Sequence, residues 1–135
     1  YIAPKGATIV NFRTHPHLYY VLHLGVQDDI SHSISYGPLY LTQVEHDASS
    51  GELTVLSVNE VLLDGEVDPF DMIRHGNGND WWLITNDFGT SSYHKILLTP
   101  DGVQQHEVQE IGYAFPFPPC RGQRSLLASD YEGNI

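Results

Sequence analysis

The sequence predicts an all-β chain made of propeller-type, four-stranded antiparallel blades. Three observations carry that expectation. No window places apolar residues at i, i+3, i+4 and i+7 over three turns, so helical periodicity is missing. Glycine (12) and proline (8) punctuate the 135 residues from end to end. Short β-branched and aromatic runs recur between turn residues, as strands do.

In chain order the strand-like runs are 7–12, 18–26, 39–46, 53–63, 70–75, 81–86, 93–99, 103–111 and 125–129. The turns between them are chemically explicit: Ala48-Ser49-Ser50-Gly51, Gly76-Asn77-Gly78-Asn79-Asp80 and Pro100-Asp101-Gly102. The second is rich in residues that tolerate positive φ, as a tight hairpin requires.

An internal repeat then selects an architecture. Ile9–Phe12 followed by Leu18–Leu24 aligns without a gap on Leu83–Asn86 followed by Ser92–Leu98, with Tyr19 on Tyr93. Each pair precedes a Gly-Val step, Gly25-Val26 or Gly102-Val103, read as a turn into a further strand. Repetition of such a unit is the mark of blades. The expected organisation is a first blade over residues 1–69, swollen by an insertion at about 28–38. A second blade follows over 70–112, then a linker and the first strand of a third over 113–135. A propeller closes with roughly four or more blades, so these strands make an incomplete one. A small β-sandwich is the competing architecture.

Composition narrows the function classes. With 41% hydrophobic and 17% charged residues the chain folds rather than staying disordered. Six Lys and Arg against seventeen Asp and Glu give a net charge of −11, which repels phosphate backbones. Nucleic acid is therefore not an expected partner. No apolar run is long enough to insert in a membrane. The single Cys120 excludes an internal disulfide framework and a cysteine zinc site. The chain begins at Tyr1, which reads as a processed product or a piece of something longer.

The stretch His75-Gly76-Asn77-Gly78-Asn79-Asp80-Trp81-Trp82-Leu83, followed by Tyr93–Thr99 and Pro100-Asp101-Gly102-Val103, is distinctive. It resembles a repeat in large secreted Bacteroidetes proteins that look like WD-repeat-type propellers and often carry a type IX secretion sorting domain. The resemblance implies a propeller, a secreted or cell-surface location and a structural role for Asp80, Trp81, Trp82, Tyr93, Asp101 and Gly102. It supplies no catalytic residue. The chain departs from the pattern at Asn79, where the repeat carries Arg, and at Ala128–Gly133, where a Phe-Ser-Pro-Asp-Gly turn is usual.

Residue by residue, little chemistry stands out. Trp81 and Trp82 point to opposite faces of a strand, one filling a blade interface and the other at a rim. His15 and His17 are spaced as same-face strand ligands with His23 nearby, but Pro16 intervenes and no metal is expected. Asp64, Glu66, Asp68 and Asp71 alternate as calcium ligands would, without the spacing of an EF-hand loop. They read as a solvated acidic turn. No nucleophile elbow or phosphate loop is present, Cys120 lies among prolines, and Asp101 is explained by hydrogen bonding within its turn.

The expected function is thus a non-enzymatic, secreted or cell-surface propeller segment presenting loops to a protein or glycan, without cofactor. Two rivals stand beside it. One is a structural subunit whose open sheet edges associate with other chains. The other is a fragment of a propeller-based glycan-active enzyme.

Overall fold

The structure is a computed structural model, and it describes residues 6–28 and 34–112. It is all-β: eight strands, no helix among the described residues, and two four-stranded antiparallel sheets. β1 (Ala7–Asn11), β2 (Leu18–Asp28), β3 (Ile34–His46) and β4 (Leu53–Leu63) form the first sheet in that order. β5 (Asp71–Arg74), β6 (Trp81–Asn86), β7 (Ser92–Thr99) and β8 (Gly102–Glu110) form the second. Consecutive strands in sequence order fit an incomplete propeller or a β-sandwich. The chain divides into two compact units, Tyr1–Glu66 and Val67–Ile135.

In the first unit, alternation decides which face is dry. The register Thr8↔Leu22↔Leu41 and Val10↔Tyr20↔Gln43 puts Val10, Tyr20, Leu22 and Leu41 on one face. These four are buried, as are Phe12, Leu24 and Leu39. Each fully covered aliphatic contributes about 1.5–3 kcal/mol relative to exposure. Phe12 meets Tyr20 edge-to-face, with ring centroids 4.8 Å apart. The β1–β2 connection is tied by His15 N–H donating to Phe12 O and Leu18 N–H donating to His15 O.

Within the expected insertion at about 28–38, Asp28 and Ile34–Tyr36 carry the β2–β3 ladder on, with Val26↔Tyr36, Gln27↔Ser35 and Asp28↔Ile34. The turn expected at Gly25-Val26 is corrected: the pair lies inside β2, where the register shifts between Leu24 and Val26. Gly25 lets the Tyr40 ring approach closely: a Cβ there would sit 3.1 Å from the ring, which would have to give by a few tenths of an ångström.

β4 follows a turn clamped by Asp47, whose carboxylate accepts from Ser49 Oγ (2.6 Å), Ser49 N–H (2.8 Å) and Ser50 Oγ (3.0 Å). Those bonds, Ser49's hydroxyl foremost, hold its pKa down to about 2. The β3–β4 register shifts three times between Leu39 and Val44. At the centre of this irregularity Asn59 adopts φ 52°, and its N–H donates to Thr42 Oγ1 at 3.1 Å.

The second unit follows the same rule with a different choice of residues. Leu83↔Ile96 and Thr85↔His94 place Leu83, Thr85, His94, Ile96 and Leu98 on one buried face. Ahead of β5, Val67 bridges Asp87, and Asp68 N–H donates to Asn86 O at 2.9 Å. Val67 and Phe70 are buried with them.

The sequence repeat turns out to be offset. Its first copy occupies β1 and β2, the first two strands of a sheet, and its second occupies β6 and β7, the middle two. What repeats is an antiparallel hairpin with one dry face, and neighbouring pairs in any such sheet share that pattern. The expected third-blade strand at 125–129 and Cys120 lie outside the described residues.

Candidate functional site

The distinctive motif residues lie in the turns and strands of the second sheet. Asp80 closes the β5–β6 turn: its carboxylate accepts from Asn77 Nδ2 (2.6 Å) and Asn79 Nδ2 (2.7 Å), and its N–H donates to Asn77 Oδ1. Gly78 supplies the positive φ of 71° that this turn needs. Trp81 and Trp82 are half-buried on opposite faces, and each ring carries a cation: Arg74 at 4.4 Å from Trp81, Lys95 at 4.3 Å from Trp82. His75 also leans on Trp82 at 5.5 Å. Tyr93 is half-buried between Asn86 and Gln109 in the ladder.

At the β7–β8 turn Gly102 has φ 103°. Here the bond expected of Asp101 falls to its neighbour. The Thr99 hydroxyl accepts Asp101 N–H at 3.2 Å and donates to Gly102 O at 3.3 Å.

The other candidates separate in space. His15 bonds Thr14, His17 faces His46 at 6.3 Å between ring centroids, and His23 stacks on Tyr40 at 5.3 Å. In the acidic loop, Asp64 accepts from Gly65 N–H and Asp71 from Met72 N–H, while Asp68 turns inward to Asn86 Nδ2 at 2.8 Å. Burial pushes the Asp68 carboxyl up, and the Asn86 bond opposes that shift. Among the described residues no three His, Cys, Asp or Glu side chains are grouped to hold a metal ion.

The structure also assembles a group that spacing conceals. His94 Nε2 lies 3.0 Å from Asp87 Oδ1, and His94 Nδ1 lies 2.9 Å from His106 Nε2. An ionised carboxylate only accepts, so with His94 neutral its Nε2 carries the proton. Nδ1 then accepts from His106 Nε2–H, and Asp87, His94 and His106 form one chain of hydrogen bonds. Burial, and next the neighbouring His94, push the His106 pKa down. The array has the order of a proton relay, but the hydroxyl directly across from it, Thr85 Oγ1, is committed to Asp68 O at 2.7 Å. Its evident work is to fasten β8 to β7. The usable signal would have been register: Ile96↔His106 puts His106 diagonally across from His94 on one face.

The second feature that sequence reading missed is the surface of β4. Leu53, Val55, Leu56, Val58 and Val61 are each more than half exposed, on the outermost strand of its sheet. The run is correctly read as a strand from Leu53 to Leu63, yet its apolar residues face water. The signal is that apolar residues occupy both parities while Lys, Arg and Pro are missing from the strand.

Comparison with known proteins leaves these observations to stand alone: no family model, no curated protein and no solved structure matches the chain.

Proposed function

We propose that the chain is a non-enzymatic, protein-binding segment of a larger β-propeller, secreted or displayed at a cell surface. The observation that carries the binding role is β4, with five large aliphatic side chains exposed on an edge strand. Exposed apolar patches of this kind mark interaction sites. The propeller context and the location rest on the resemblance of the Asp80-Trp81-Trp82 and Leu97–Gly102 segments to secreted repeats. Two successive four-stranded antiparallel sheets support that context.

A protein fits better than a glycan. Sugars stack on open aromatic faces, and here Arg74 and Lys95 already cover one face of Trp81 and of Trp82. The loops fit less well than the edge, because their polar groups are spent within the turns, as at Asn77–Asp80. The reading as a structural subunit completed by neighbouring chains draws on the same β4 edge.

A neutral dye and a sugar titration test the proposal. Nile red emission is expected to rise with the native chain. It falls when Val55, Leu56 and Val58 are all changed to Thr, which keeps charge and β preference. Dye binding indifferent to those changes overturns the reading. So does a saturable change in tryptophan fluorescence with soluble oligosaccharides.

A further inference from the structure

We propose that the free edge of β4 is a strand-addition site for an extended, basic peptide segment that is apolar at alternate positions. This rests on the protein-binding reading and names the class of partner.

The backbone makes the first argument. β4 ends the order β1-β2-β3-β4, and no described strand pairs with its outer side. A strand edge is a row of N–H and C=O groups that another chain can complete. From Leu53 to Val58 the run precedes the positive-φ Asn59 and carries one bulge, with Leu56 the extra residue between Val55 and Ser57.

The side chains make the second. The ladder puts Leu53 and Val55 on the face of His46 and Val44; the register shift at Leu56 then sends Ser57 to the face of Gln43 and returns Val58 to that of Val55, and Leu53, Val55, Leu56 and Val58 are all more than half exposed. An added strand therefore finds the aliphatic neighbours Leu53, Val55 and Val58 on one face of the sheet. Alternate Val or Ile residues on the incoming segment cover that set through cross-strand pairs. The opposite surface of the strand shows no comparable opening: Ser57, between these residues, keeps its hydroxyl oxygen buried.

Charge selects the occupant. From Thr14 to Ile73 the sequence has no Lys or Arg and ten Asp or Glu. Several of these carboxylates border the edge: Glu52 precedes β4, Glu60 lies within it, Asp64 and Glu66 follow it, and Glu45 sits across from Thr54. An incoming strand flanked by Lys or Arg is attracted along its whole length. A second copy of this chain would bring the same carboxylates against each other, so self-pairing is disfavoured.

The test uses the full chain and a labelled synthetic peptide with Val and Ile alternating with Thr, bracketed by Lys pairs. Fluorescence anisotropy is expected to show saturable binding that weakens as salt rises. The same peptide bracketed by Glu binds at least about tenfold more weakly. N-methylation of alternate amides in one phase abolishes binding, while the opposite phase is tolerated, because only one set of amides faces the edge. The Val55→Thr, Leu56→Thr, Val58→Thr chain loses the peptide, whereas Val108→Thr on β8 does not. Equal affinity for the Glu-bracketed peptide, or tolerance of both N-methylation phases, overturns the proposal without depending on any protein variant. Nile red binding at β4 with no peptide binding removes strand addition and leaves the protein-binding reading intact. Concentration-dependent dimers that the triple substitution abolishes would assign the edge to a second copy, and also overturn it.

Discussion

β4 and β8 occupy equivalent places, each the outermost strand of a four-stranded sheet, and they solve the edge problem in opposite ways. β8 reads Gly-Val-Gln-Gln-His-Glu-Val-Gln-Glu and exposes mostly polar side chains. It is latched inward by His106 to His94, Glu107 to Lys95 at 3.7 Å, and Glu110 to Ser91 and Ser92. β4 presents five aliphatics and is joined to β3 by the ladder, with Thr42–Asn59 as its side-chain tie. A charged, cross-linked edge discourages further pairing, and an apolar one without Lys or Pro invites it. Strand position alone therefore does not say what an edge is for; its side chains do.

Both tryptophans lie in the second unit, so tryptophan fluorescence follows β5–β8 while far-ultraviolet dichroism follows both sheets. That separation lets the contrast be broken strand by strand. The largest effect is expected at the latch. His94→Ala removes two hydrogen bonds from a buried position and leaves a cavity, costing about 3 kcal/mol. Urea melts followed by tryptophan emission should show it; a loss below about 1 kcal/mol would mean that the array does not hold β8.

A smaller loss is expected at the other edge. Thr42→Val deprives the Asn59 N–H of its acceptor at 3.1 Å, costing about 1 kcal/mol. It should appear in the dichroism melt and leave the tryptophan transition in place. A shift of the tryptophan transition instead would show the two units to be coupled.

Acidification should sharpen the contrast further. The folded His106 has a pKa below its ordinary 6.5, so the unfolded chain binds the proton more readily. Its contribution is present above about pH 6.5 and is lost as pH falls through that value toward the lowered folded pKa. Stability of the β5–β8 unit is expected to decline over that window, and His106→Gln to flatten the decline. An unchanged profile in the variant would assign the pH dependence to other groups.

The smallest effect belongs to Ser57, whose hydroxyl oxygen is buried without a hydrogen-bond partner among the described residues. Ser57→Ala is expected to be neutral or to stabilise by up to about 1 kcal/mol. A clear destabilisation would show that the hydroxyl is satisfied in solution.

The hairpin skeleton was legible because period-two alternation and turn chemistry are local. Leu53–Leu63 and Trp81–Asn86 match their observed bounds, and Gly76–Asp80 forms the turn its residues imply. The Asp87–His94–His106 array was hidden because its members lie seven and twelve residues apart, joined only by a specific register across β7 and β8.

By itself the sequence determined the all-β class, strands such as Leu53–Leu63 and Trp81–Asn86 and the turn at Gly76–Asp80, because backbone preferences and alternation act within a few residues. Tertiary structure decided which of two similar apolar alternations was dry: Tyr20, Leu22 and Leu41 are covered while Val55, Leu56 and Val58 are not. Burial depends on what lies across a sheet, and that is a property of strand order and register rather than of any one strand.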